Sequence, residues 1–273
     1  MGQRIVTGIA LALLLIVLIY FGGVVMGVGA LICLCFAIHE EYHALGVAGH
    51  RPVSWPTWLA MVLVVPLVAL GGAEMIVPLL GGVCLITMIC VVFRDEPRLE
   101  DAVLSMLPLF TIVLPGMCIV ALAQVQPKAL QVVLLWLLFA IPVIGDTMAF
   151  FVGSRMRGPK LCPAVSPNKT ISGAVGGLVG SLLAAAAVGL VSLMFCDGAT
   201  LALLPSWWEY GLLGLVGGVA GQMGDLFASL VKRHCGIKDF SNLFPGHGGM
   251  LDRLDSILFM AVVMICYLLF HGI

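Results

Sequence analysis

Nine stretches of this chain are apolar almost without interruption, and several reach the roughly 20 residues that a helix needs to cross a hydrocarbon core of about 30 Å. The runs are Ile5–Phe21, Val24–Ile38, Thr57–Leu70, Met75–Phe93, Ala102–Ala123, Ala129–Val152, Gly173–Phe195, Tyr210–Val231 and Leu254–Phe270. They lack the amphipathic stripe of a soluble helix. An all-α, polytopic integral membrane protein of about nine transmembrane helices is therefore expected.

Composition agrees: 62% of the 273 residues are hydrophobic and 10% charged, whereas a soluble domain carries about a quarter charged side chains. The first two runs are separated only by Gly22 and Gly23. One helix from Ile5 to Ile38 would be about 51 Å long at 1.5 Å per residue, so two spans fit better. No small-residue cleavage site follows the first run, which reads as a retained anchor.

Lysine and arginine accumulate in cytoplasmic loops of membrane proteins. With nine spans, 12 of the 13 basic residues fall on one side and Lys128 alone on the other. This places the N-terminus inside and the C-terminus outside. The nine cysteines sit mostly within apolar spans, as small buried hydrophobes, and suggest neither a disulfide framework nor a zinc site.

The two halves differ. Residues 1–126 look like scaffold, apolar spans on short loops, within a single membrane domain. Their one polar cluster, His39, Glu40, Glu41, Tyr42 and His43, reads as a solvated helix end at the inner surface. Residues 127–273 carry two long, basic, Gly-, Pro- and Ser-rich inner loops, Gly153–Ser172 and Lys232–Arg253, and are expected to hold the catalytic spans. Glycine rows at 173, 176, 177 and 180, then at 211, 214, 217, 218, 221 and 224, let membrane helices approach closely. Such faces are also compatible with a homodimer.

A carboxylate inside a span costs a few kcal/mol and marks function by default. Asp146 and Asp225 are such acids, each roughly 10 to 14 Å below the inner surface by helical rise. At the start of the ninth run, Asp252 and Asp255 share a face at i and i+3. With Asp225 and Asp146 they would form an oxygen-rich cluster suited to Mg2+, which takes a few carboxylates plus substrate phosphates. Around them stand Lys169, Lys232, Arg233, Lys238, His247 and Arg253, and Gly248 and Gly249 allow backbone N–H groups to reach phosphate oxygens. Carboxylates, metal and cations together describe phosphoryl or nucleotidyl transfer.

The stretch from Ser229 to Ser256, SLVKRHCGIKDFSNLFPGHGGMLDRLDS, resembles the signature of the phosphatidate cytidylyltransferases, also called CDP-diacylglycerol synthases. The segments Gly145-Asp146-Thr147-Met148-Ala149-Phe150 and Ser166-Pro167-Asn168-Lys169-Thr170-Ile171-Ser172-Gly173 also resemble that family, and Gly224-Asp225-Leu226 precedes the signature at its spacing. Where the family often has Glu and an aromatic, this chain has Ser172 and Ile171, so no role for that acid carries over.

The resemblance implies that CTP and phosphatidate are joined with release of pyrophosphate, with magnesium, at the cytoplasmic face of a membrane; the compact chain suggests that this is a bacterial inner membrane. It selects Asp225 and Asp252 as metal ligands, with Asp255 and Asp146 next. Ser229, Lys232, Arg233, Lys238, His247 and Arg253 would hold triphosphate and lipid phosphate. Phosphate monoesters are largely ionised near pH 7, with a second pKa of about 6, so His247 need not act as a strong base. No nucleic-acid partner is expected. A transporter would more often show two similar halves, and the acidic motif of CDP-alcohol phosphotransferases is not present.

Overall fold

The computed structural model describes residues 2–71, 75–246 and 248–271, except the side chains of residues 2–5 and 68–71. His247 therefore lies outside the described residues. Helix α1 (Gly2–Phe21) and helix α2 (Gly23–Val47) meet at Gly22 and Gly23, whose φ values of 58° and 47° are left-handed conformations that glycine adopts without penalty. The expected break between the first two runs is thus real. The side chain of Gln131 fills the space where a Cβ at Gly22 would sit.

Helices α3 (Trp55–Gly71) and α4 (Ile76–Val92) follow, then α5 (Leu99–Pro108), a π-helical turn over Leu109–Val113, and α6 (Leu114–Leu122). The wide turn lies between Pro108 and Pro115, two residues without an N–H for the regular ladder. Helix α7 (Lys128–Met156) leads into strands β1 (Lys160–Cys162) and β2 (Ser166–Thr170). Helices α8 (Ile171–Phe195), the short α9 (Gly198–Leu201), α10 (Trp207–His234) and α11 (Leu251–His271) complete the order.

Six of these segments are long and apolar enough to cross a membrane, with α5, the π turn and α6 counting as one. Shorter apolar helices, Val6–Phe21, Trp55–Leu67 and Ile76–Val92, occupy the positions of the first, third and fourth expected spans. The fold is the helical membrane architecture expected from the apolar runs. One element was not foreseen: part of the basic loop after α7 is an antiparallel hairpin pairing Lys160 with Thr170 and Cys162 with Ser166.

Helix α7 is the hub. Leu134, Leu135, Leu137 and Leu138 are fully buried along it, and it packs against α8, α10 and α11. The glycine rows serve this packing. A Cβ at Gly177 would stand 3.2 Å from Gly145 O, one at Gly214 3.0 Å from Leu182 Cα, and one at Gly224 would strike the Asp255 carbonyl. The glycines of the two rows, Gly211 apart, are spent on contacts inside the chain.

The polar loops gather at one end of the bundle. Thr7 donates to Pro245 O (3.4 Å), His50 Nε2 meets His234 Nε2 (2.9 Å), and Arg233 Nε donates to Val165 O (3.3 Å). Arg94 contacts the backbone of Arg51 and pairs with Asp101. Lys128, by contrast, lies over the ring of Tyr20 where α1 ends. Arg51, Arg94 and Arg233 thus stand among the polar loops, away from Lys128.

Candidate functional site

Four elements meet at the polar end: α7 with Asp146, the hairpin with Lys169, α10 with Asp225 and Lys232, and the start of α11 with Asp252 and Asp255. The hairpin is fixed where it joins α8. Thr170 caps that helix, its hydroxyl accepting from Gly173 N at 3.1 Å, which satisfies an N–H that the first turn would otherwise leave orphaned. Lys169, one residue earlier, reaches α10 and pairs with Asp225, Nζ to Oδ2 2.5 Å, with both side chains just over a quarter exposed.

Behind this pair, Ser256 Oγ donates to Asp146 Oδ2 at 3.0 Å and its backbone N–H donates to Asp255 Oδ1 at 2.7 Å. The carboxyl groups of Asp146, Asp225 and Asp255 lie close enough to repel one another. A cavity of about 420 Å³ opens beside Asp146 and Asp225, lined also by Asn168, Lys169, Thr170 and Gln222. It is large enough for a small organic ligand.

Asp252 is placed differently from the other acids. Its Oδ1 accepts from Lys232 Nζ at 2.7 Å, and its Oδ2 accepts from Phe240 N and Gly249 N, both at 2.9 Å. The side chain is 4% exposed. Two of its bonds hold the loop between α10 and α11 in shape. Gly248, at φ 79°, passes so close that a Cβ there would lie 2.9 Å from Asp252 Oδ2. Gly248 is thus required by the close passage of the chain over Asp252, and Gly249 by its passage over the Glu40 carboxylate.

Of the remaining candidates, Ser229 is buried one turn beyond Asp225. Arg233 is exposed and engages Val165 O and Ile237 O. Lys238 is exposed on the loop. Arg253 is exposed beside the acids and attracts Asp146 electrostatically.

Among the described residues, no three His, Cys, Asp or Glu side chains are already drawn together tightly enough to hold a metal ion. The donor types fit magnesium nonetheless. Asp146, Asp225 and Asp255 stand close together, and among the described residues Lys169 is the one cation within ion-pair distance of any of them.

The reading of His39 to His43 as a solvated helix end is corrected. Helix α2 continues to Val47, and the cluster divides by helical face. His39 and His43, four residues apart, are exposed and stacked at 6.2 Å, whereas Glu40 and Glu41 are buried. Glu41 Oε2 accepts from Thr111 at 3.0 Å, and Glu40 turns into the loop between α10 and α11. Gln222, pocket-lining and donating to Ala174 O at 3.0 Å, was also not singled out. In the sequence it is one amide among glycines.

A fold of apolar helices with acids, cations and a cavity grouped at one end defines a helical membrane protein with a polar site as a class. The chain belongs to the cytidylyltransferase family, whose model matches residues 2–271. It is similar to proteins named phosphatidate cytidylyltransferase: 43% identical over 127 residues to that of Brucella abortus biovar 1 (strain 9-941), and 43% over 127 residues to that of Staphylococcus saprophyticus. The aligned residues make up 46% of this chain in both comparisons, and 43% and 45% of the two relatives. The likeness therefore spans less than half the length of each.

Proposed function

We propose that this protein transfers the cytidylyl group of CTP to phosphatidate, giving CDP-diacylglycerol and pyrophosphate, at the cytoplasmic face of a cell membrane. The observation that carries this reading is the polar end of the bundle, where Asp146, Asp225 and Lys169 border one cavity at the membrane-spanning helices and Asp255 stands close to both acids. A water-soluble triphosphate and a lipid phosphate can meet only at such a boundary. Similarity to proteins named phosphatidate cytidylyltransferase supports the choice of substrates.

In the proposed reaction an anionic oxygen of phosphatidate attacks the α-phosphorus of CTP in line. The bond from that phosphorus to the oxygen shared with the β-phosphorus breaks, and pyrophosphate leaves with that oxygen. Asp225, Asp146 and Asp255 would hold Mg2+, which when bound offsets the charge of the phosphate oxygens. Lys169 and Arg253 stand where they can bind phosphate. Lys232 and Asp252, joined to each other, hold the loop between α10 and α11 in shape. The two substrate phosphates carry their own negative charge, so orientation and charge stabilisation suffice and no covalent enzyme intermediate is required. The cytoplasmic assignment follows from the basic residues at this end.

The test is formation of labelled lipid from radiolabelled CTP, phosphatidate and Mg2+ by the purified protein in detergent. CDP-diacylglycerol from the parent and its loss in Asp225→Asn support the proposal. A folded, lipid-supplemented parent that forms no labelled lipid overturns it.

A further inference from the structure

Glu40 lies in the first half of the chain, yet it makes three bonds to the loop between α10 and α11 and to the first residue of α11. Its Oε1 accepts from Ser241 Oγ at 2.5 Å and from Met250 N at 2.9 Å, and its Oε2 accepts from Leu251 N at 2.8 Å. The residue is 5% exposed. Leu251 begins α11 and Met250 directly precedes it, a helix start where N–H groups have no partner within the helix and the helix dipole favours an anion. Gly249 runs so close that a Cβ on it would lie 2.6 Å from Glu40 Oε2.

The stereochemistry is demanding. Each carboxylate oxygen faces a backbone N–H, so only a group with two acceptor atoms satisfies both. Glutamine, in either orientation of its amide, would set an NH2 donor against a backbone donor. Aspartate is one methylene shorter. Opposite Glu40, Asp252 accepts from Gly249 N and Phe240 N, so two carboxylates from helices far apart in the sequence grip consecutive residues of one loop.

We infer that Glu40 is a positioning residue: by accepting from Ser241, Met250 and Leu251 it clamps the loop and the first turn of α11, and thereby sets where Asp252, Arg253 and Asp255 stand. This rests on the proposed reaction for its kinetic consequence, but the clamp itself can be measured without it.

The experiment compares hydrogen–deuterium exchange of residues 239–251 in the parent, Glu40→Gln and Ser241→Ala, in detergent, together with kcat and KM for CTP. Glu40→Gln should speed exchange across that segment at least tenfold and leave α7 and α8 unchanged. It should lower kcat/KM at least tenfold, chiefly through KM for CTP. Ser241→Ala removes one bond of three and should show a smaller change in the same segment, which keeps the test valid should Glu40→Gln fail to fold.

Unchanged exchange in the segment overturns the clamp. Faster exchange with unchanged kcat/KM overturns the positioning role. An inactive parent whose segment still loosens in both variants counts against the proposed reaction and upholds the clamp.

Discussion

Lys169 Nζ and Asp225 Oδ2 stand 2.5 Å apart and join the hairpin after α7 to α10, both residues lining the cavity. Both side chains are partly exposed, and ion pairs of that kind contribute on the order of 0–1 kcal/mol. The pair is therefore a poor candidate for a structural brace. Lys169→Ala should leave the thermal midpoint within about 3 °C of the parent while raising KM for CTP at least tenfold, as read from melting curves and initial rates on the same preparation.

The Lys232–Asp252 pair is expected to behave in the opposite way. Their side chains are 11% and 4% exposed, and removing one member of a buried pair leaves an uncompensated charge, at a cost of about 3–5 kcal/mol. Lys232→Met should therefore melt well below the parent and below Lys169→Ala. Equal midpoints for the two variants would show that the pair is not buried as described.

Three mutually repelling carboxylates should respond to a divalent cation before any substrate is present. Added Mg2+ should raise the midpoint of the parent by linkage between binding and folding, and EDTA should reverse the rise. The rise should shrink in Asp225→Asn and Asp255→Asn. A parent indifferent to Mg2+ across the millimolar range would argue against this donor set.

Glycine substitutions separate packing from open surface. A Cβ at Gly224 would strike Asp255 O and stand 3.0 Å from Phe259 Cδ2, whereas one at Gly211 meets nothing within 4 Å. Gly224→Ala should cost about 1–3 kcal/mol by overpacking and lower the rate at least tenfold by shifting Asp225 against Asp255. Gly211→Ala should be neutral or slightly stabilising, since alanine favours helix over glycine by roughly 1 kcal/mol.

Sidedness can be read with single cysteines. Lys238→Cys should react with a membrane-impermeant thiol reagent from the cytoplasmic side and Lys128→Cys from the opposite side, each measured against the labelling of the native cysteines. The same side for both would overturn the topology.

Membrane helices were legible in the sequence because the apolar runs are set by the thickness of the bilayer, and the break at Gly22 and Gly23 because one continuous helix would have been too long. The acids of the site were legible for a related reason: a carboxylate such as Asp146 or Asp225 stands out against an apolar span. What the sequence does not display is which acid serves which neighbour. Asp252 and Asp255 look equivalent at i and i+3, yet Asp252 is consumed by Lys232 and two backbone N–H groups. Glu40 and Glu41 look like a wet helix end because their partners, Ser241 and Thr111, lie on other elements. The hairpin was missed because its strands are too short to show an alternating pattern.

The bond between Leu251 N and Glu40 Oε2 closes over 211 positions. At a synthesis rate of about 5–20 residues per second, α2 is made roughly 10–40 s before the segment it must grip. During that interval the Glu40 carboxylate must be kept hydrated or matched by a temporary partner. The apolar helices can partition one by one as they are made, but the loop takes its shape only after α11 has arrived. Biogenesis of this site is therefore a late event, separate in time from insertion.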